Sequence, residues 1–287
     1  MCRLFGFRSA IYSGVHQSLL KADNALARQS ERHTDGWGVA FYVENYPHLI
    51  RNDQQAWADS LFREISGVVA TRTLLAHIRL ATAGTVRVLN CHPFQYGRWT
   101  FAHNGELAGF ERDEVQREVR DLVDQRFCRY VLGETDSEVL FHIFLSKLAH
   151  RVDKLCGEGV QLSVVLDALR LTVQRILEVA PDSGTQPDRH NKLNMLVTNG
   201  DLMVGYRYRK ELFFSTHKSR CPERESCAVF EESLCERSVD RGRVMHLLIA
   251  SEPLDGGPNV WQELEDDEYV AVRHGMVFSR GKLGAVD

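Results

Sequence analysis

Apolar and polar positions change their period several times along the chain, and each change predicts an element. Residues 3–9 are rich in hydrophobic side chains and read as a strand. Residues 15–30 place Leu19, Leu20, Ala22, Leu26 and Ala27 where one helical face can use them, so an amphipathic helix is expected there. Strands are expected over 37–43, 74–80 and 99–103, with a short helix over 56–65. The texture then turns helical. Residues 111–123 are highly charged and read as a solvent-facing helix. Thr135 and Glu138 have capping-box spacing and open a helix running to about residue 151, with Val139, Leu140, Ile143, Phe144 and Leu148 as its apolar set. A second long helix covers 160–180, followed by a polar loop over 181–190. From 191 the chain reads as short strands. A hairpin is expected over 192–198 and 202–208 across Asn199-Gly200, then strands at 212–215, 227–230 and 244–250. A closing hairpin over 269–273 and 276–278 turns at His274-Gly275. No internal repeat interrupts this order.

Composition narrows the class. With 287 residues, 44% of them hydrophobic, the chain can bury a large core as one large domain or two small ones. The formal net charge of −4 leaves no basic excess to neutralise phosphates, so nucleic acid is not an expected partner. No basic segment followed by an apolar run opens the chain, and no apolar run would span a bilayer. A cytoplasmic protein without a membrane partner is expected. Seven cysteines at scattered spacing then read as free thiols. Cys221, Cys227 and Cys235 cluster without C-x-x-C spacing, and no histidine pair has ligand spacing, so neither a metal nor another cofactor is expected.

Candidate chemistry begins at Cys2. With Met1 removed, Cys2 would carry both a thiol and a free α-amine. That amine titrates near ~7.7–8.0, so at neutral pH a fraction of it is a base beside a nucleophile. Asp35-Gly36 reads as a turn or as backbone passing close to a site, because Gly36 and Gly38 carry no side chain. Asn104-Gly105 after a strand is locally the commonest hairpin signal. If Thr135 caps its helix, the Asp136 carboxylate is free to point elsewhere.

The order of these pieces resembles a known family. Cys2 in second place, Arg79-x-Ala81-Thr82-x-Gly84, Asn90-x-His92-Pro93, Asn104-Gly105 and Thr135-Asp136-x-Glu138 together resemble the class II glutamine amidotransferases, which are N-terminal-nucleophile hydrolases. Ala250-Ser251-Glu252-Pro253-Leu254 is similar to a feature of the small stand-alone branch. That branch includes bacterial glutamine amidotransferases, the ergothioneine-pathway γ-glutamyl hydrolase and the amidohydrolase of a glutathione-degrading complex.

The resemblance implies an α+β fold, a four-layer α/β/β/α sandwich of two antiparallel sheets, with residues 2–287 as a single class II domain. It implies hydrolysis of a γ-glutamyl amide through a Cys2 glutamyl thioester. Asn104 and the Gly105 N–H would form the oxyanion hole, Arg79 would grip the substrate α-carboxylate, and Asp136 its α-ammonium. Thr82 and His92 would line the glutamyl pocket, although His92 also reads as a structural loop histidine. Many members carry Trp and His where this chain has Leu80 and Ala83, which reshapes the pocket wall without removing a catalytic group. The chain leaves too little length for an acceptor domain, so either a separate synthase consumes ammonia or the protein is a plain hydrolase. The partner is then a small γ-glutamyl molecule, with the oligomeric state open. A non-catalytic γ-glutamyl sensor is the competing class, and it would need only Arg79 and Asp136.

Overall fold

The computed structural model describes residues 2–182 and 190–285. Met1, and with it the expected processing to Cys2, lies outside the described residues, as does most of the expected 181–190 loop. The first stretch of the chain forms β1 (Arg3–Gly14), β2 (Trp37–Val43), β3 (Tyr46–Asn52), β4 (Ala70–Ile78), β5 (Phe94–Tyr96) and β6 (Trp99–Glu106), with α1 (Leu26–Gln29) and α2 (Ser60–Val68) between them. Four helices follow: α3 (Asp113–Asp121), α4 (Gln125–Cys128), α5 (Asp136–Ala149) and α6 (Leu162–Val179). The last stretch forms β7 (Lys192–Thr198), β8 (Met203–Tyr206), β9 (Phe213–Ser215), α7 (Glu232–Cys235), β10 (Gly242–Arg243), β11 (His246–Ala250), β12 (Gln262–Glu263), β13 (Glu268–Arg273) and β14 (Val277–Lys282).

These strands pair into two seven-stranded antiparallel sheets. One runs β12-β9-β11-β1-β4-β2-β3 and the other β10-β14-β13-β8-β7-β6-β5. Alternation along each strand sends side chains to two different cores. Leu4, Ala40 and Leu75 of the first sheet pack against Ala102, Leu196, Met203 and Val270 of the second, which makes the inter-sheet layer. Phe5, Val39 and Leu74, one position out of phase, face Leu19, Leu26 and Phe62 on the outside of the first sheet. Phe101, Met195 and Val204 face α5 and α6 outside the second. Three apolar layers between four structural layers give the expected α/β/β/α sandwich. Gly6 and Gly205 let the sheets approach: a Cβ on Gly6 would sit 3.0 Å from Leu196 Cδ1, and one on Gly205 2.7 Å from Ile249 Cδ1.

Three local expectations need correction. The helix expected over 15–30 is broken into a π turn at Gln17–Lys21 and the short α1. Asn24 explains the break: its amide donates to Pro253 O (2.7 Å) and accepts from Asp255 N (2.7 Å), so this segment is tied to a distant loop instead of continuing the helix. Residues 227–230, expected as a strand, form turns in which Phe230 N donates back to Cys227 O (3.1 Å). Local bonds satisfy that backbone, and the short apolar run between charged residues offers little to bury. Asn104-Gly105 is no hairpin turn; β6 runs straight through it, with Asn104 opposite Asn194 and Gly105 opposite Leu193. Thr135 caps α5 as expected, accepting from Glu138 N at 3.2 Å. Glu138, however, does not reach back to complete a capping box; its carboxylate accepts from Leu132 N and Gly133 N. Among the described residues no helix is long and apolar enough to cross a membrane.

Candidate active site

The inter-sheet layer ends in polar residues, and strand period explains which. Cys2 shares the parity of Leu4; His77 and Arg79 share that of Leu75; Asn104 that of Ala102; Asn194 that of Leu196. Arg3 pairs with Ile78 and Trp37 with the same residue, so the start of β1, the end of β4 and the start of β2 meet at one end of the sandwich. The far end of β6 arrives there from the other sheet.

Cys2 is half-buried. Its Sγ lies 3.3 Å from both Leu80 N, which donates to it, and Leu80 O. Burial pushes the thiol up; the Leu80 backbone contact, then the cations of Lys210 and Arg79, pull it back. Ser251 ties this residue's strand to Asn104. Its Oγ accepts from Leu4 N at 2.9 Å and from Asn104 Nδ2 at 3.0 Å, while Ser251 N donates to Leu4 O at 3.1 Å. One hydroxyl thus joins the two sheets beside the thiol. Asn104 Oδ1 accepts from Lys210 Nζ. At Gly105 a side chain is impossible, because a Cβ would lie 1.7 Å from Lys192 O.

Arg79 is only 2% exposed. Its Nη1 donates to Thr85 O (3.1 Å) and its Nη2 to Ala83 O (3.0 Å) and Gly84 O (3.4 Å). Among the described residues it has no carboxylate partner, and a guanidinium so bonded retains one Nη1 hydrogen and Nε–H for a ligand. Asn90 shapes the loop that holds it, donating to Thr85 O (2.8 Å) and accepting from Glu134 N (2.9 Å). Glu134 accepts from Thr85 N and Oγ1, which holds its carboxyl down at about 2. Asp35 Oδ2 accepts from Ala81 N (2.8 Å) and Gly36 O from Arg79 N (2.8 Å), so the Asp35-Gly36 turn fastens the same segment. Gly36 sits at φ 119°, and a Cβ there would lie 2.5 Å from Cys91 Sγ.

Asp136 is buried at the start of α5; its carboxylate accepts from Leu107 N (2.9 Å) and Ser137 N (2.7 Å). It lines a cleft of about 260 Å³ together with Thr82, Ala83, Gly84, Glu106, Leu107 and Phe110. Ala83 therefore faces the cleft. His92 does not line it. Its ring stacks obliquely on His77 (centroids 4.1 Å apart) and edge-on to Phe94 (4.6 Å), and among the described residues neither ring nitrogen has a hydrogen bond. Burial holds His92 well below the usual imidazole range and His77 down at about 3, so both rings are neutral. His103 is lowered as well, by burial. Its Nε2 donates to Lys192 O (2.9 Å), which can only accept, and its Nδ1 lies 2.9 Å from Ser137 Oγ, whose hydroxyl also bonds Asp136 Oδ1.

Ser251 thus links Leu4, two residues after Cys2, to Asn104 at one end of the sandwich, Gly105 follows in β6, and Thr82 and Asp136 line the cleft, with Arg79 bonded to its Ala83 and Gly84 wall. Sequence reasoning missed Lys210, His77, His103 and Asn194; a lone lysine between two strands carries no local signal. It singled out Ser251 as part of a run without a role.

Two antiparallel seven-stranded sheets between helical layers are the fold of the N-terminal-nucleophile hydrolases, with Cys2 just ahead of the central strand β1. Solved structures agree: a glutamine aminotransferase class-II domain protein from Silicibacter pomeroyi superposes with a TM-score of 0.68 at 22% identity, covering 100% of both chains. The glutamine phosphoribosylpyrophosphate amidotransferase of B. subtilis superposes with a TM-score of 0.59 at 14% identity, over 99% of this chain and 49% of that one. The sequence identifies the family: residues 1–284 match the class-II glutamine amidotransferases, and the chain belongs to that family. Its relatives include a probable glutamine amidotransferase of Saccharomyces cerevisiae, 26% identical over 86% of this chain and 72% of that protein. They also include a gamma-glutamyl-hercynylcysteine sulfoxide hydrolase of Mycolicibacterium smegmatis, 25% identical over 91% and 88%.

Proposed function

We propose that this chain, acting as one class II domain with Met1 removed, hydrolyses a γ-glutamyl amide through a Cys2 glutamyl thioester. The observation that supports this most is the Ser251 bridge, which joins the Cys2 strand to the Asn104 amide where a nucleophile and an oxyanion donor must meet. The name of the M. smegmatis relative supports the γ-glutamyl class.

In this reading Arg79 meets the substrate α-carboxylate with its remaining N–H groups, since a guanidinium matches a carboxylate in charge and fork geometry. Asp136 takes the α-ammonium. The Cys2 sulfur attacks the δ-carbonyl while its proton passes to the α-amine of the same residue. Negative charge on the carbonyl oxygen is met by Asn104 Nδ2–H and the Gly105 N–H. Collapse breaks the C–N bond, and the α-ammonium gives the proton to the departing amine. Water, deprotonated by the same α-amine, then attacks the thioester, and the thiolate leaves and is reprotonated as glutamate departs.

The test is glutamate release from glutamine, glutathione and a γ-glutamyl thioether by the purified protein alone. Release from at least one of them is expected, lost in Cys2→Ala, with a larger leaving amine preferred over ammonia. No release from any, with undamaged binding of γ-glutamyl compounds, would replace hydrolysis with sensing. A preference for glutamine, raised by a co-purifying synthase, would make the chain an ammonia donor. Intact mass should show Met1 absent; an active protein retaining it would remove the α-amine from the mechanism.

A further inference from the structure

Lys210 lies on the short connection between β8 and β9, yet its side chain reaches the end of the inter-sheet layer. The loop is held for this. Asn194 Nδ2 donates to Lys210 O (3.1 Å) and Glu211 O (3.0 Å), and Asn194 Oδ1 accepts from Tyr208 N (2.9 Å). Asn194 is fully buried and pairs directly with Asn104 across β6 and β7, so the two amides share one sheet face. One asparagine anchors the loop and the next receives its ammonium.

An ammonium can only donate. Its bond to Asn104 Oδ1 therefore fixes which end of that amide is oxygen, because a flipped amide would aim N–H groups at a cation. On the other side Ser251 Oγ takes one Nδ2 hydrogen and leaves the second available. A cation on the amide oxygen also polarises the N–H bonds and makes Nδ2 a stronger donor.

We propose that Lys210 is a positioning residue for the oxyanion donor Asn104, locking its amide orientation, and a cation set at the Cys2 end of the inter-sheet layer. This rests on the hydrolytic reading above. The charged and titratable groups that act on the Lys210 ammonium include Cys2 just ahead of β1, Arg3 from β1, Glu106 and His103 from β6, Lys192 from β7 and His77 from β4. Burial lowers the ammonium to about 8. It is therefore charged below that pH, and its support is lost above it.

Two readouts on Lys210→Met test this in the full-length protein. The first is kcat and KM for glutamate release: kcat should fall by about 10–100-fold with KM little changed, because an oxyanion exists only in the transition state. The second needs no substrate: the pH midpoint for alkylation of Cys2 by iodoacetamide should rise. Lys210→Gln restores a donor without a charge, so it should recover part of kcat and keep the raised midpoint; it also serves if the methionine variant fails to fold. A kcat within about twofold of the parent would overturn the proposal. So would an unmoved alkylation midpoint in both variants, which would leave Lys210 a merely structural residue. Absence of glutamate release from the parent protein would count against the hydrolytic reading, while the alkylation midpoint still reads the Lys210–Cys2 coupling.

Discussion

Ser251→Ala separates the architecture of the site from its chemistry. The hydroxyl accepts from the buried Leu4 N–H at 2.9 Å and from the Asn104 amide at 3.0 Å. Alanine leaves both donors without that partner, while the Ser251 N to Leu4 O bond survives. A buried donor left unsatisfied costs ~1–3 kcal/mol. Leu4 is 1% exposed and Asn104 2%, so water replaces the lost partner of neither donor. The expected loss is about 2–6 kcal/mol, equivalent to a fall of roughly 3–10 °C in melting temperature for a chain of 287 residues. Urea unfolding gives the first number and thermal unfolding the second. At a temperature where the variant remains folded, kcat should also fall, because the Asn104 amide has lost one of its two fixed partners. KM should hardly move, since Arg79 and Asp136 are untouched. A stability loss below about 0.5 kcal/mol would show that neither donor depends on Ser251 and would refute the bridge as the element joining the two sheets at the nucleophile.

Cys2 should be the thiol labelled by an electrophilic glutamine analogue, with Cys91 unlabelled, because burial pushes the Cys91 thiol up to about 11; peptide mapping that finds Cys91 modified would reverse the choice of nucleophile. Arg79→Ala and Asp136→Ala should raise KM, whereas Asn104→Ala should lower kcat by ~10²–10³ with KM nearly constant. Steady-state kinetics on all three would contradict this division if kcat alone fell in each. Gly105→Ala should prevent folding or destroy activity, because its Cβ would overlap the Lys192 carbonyl; a fully active, stable variant would show that β6 and β7 can separate there.

Much of this site was legible through the order of its motifs, which resembles that of a known family. Strand period is local, and Cys2, Arg79 and Asn104 each fall in phase with the apolar residues of the strand they adjoin or belong to. The capping role of Thr135, which frees Asp136, is equally local and is observed. The spacing of Asn104-Gly105 could not say whether the pair ended a strand or lay within one. Pairing with Asn194 and Leu193 decided that, because the neighbouring strand supplies ladder contacts that a turn residue would lack. His92 remained ambiguous for a similar reason: its neighbours, His77 and Phe94, come from β4 and β5, and their packing determines its burial.

By itself the sequence determined the long central helices, and its motifs, through their resemblance to a family, implied the two-sheet class and the proposed nucleophile, oxyanion donor and substrate clamp. Periodicity, capping and motif order act over a few residues and survive in any linear reading. Tertiary structure alone decided that Ser251 bridges the sheets, that Arg79 lies behind a wall of backbone carbonyls, and that Lys210 reaches Asn104. Each of those contacts joins residues from distant parts of the chain or depends on loop closure, and no local pattern encodes the meeting of two groups whose separation is fixed only when both sheets have packed.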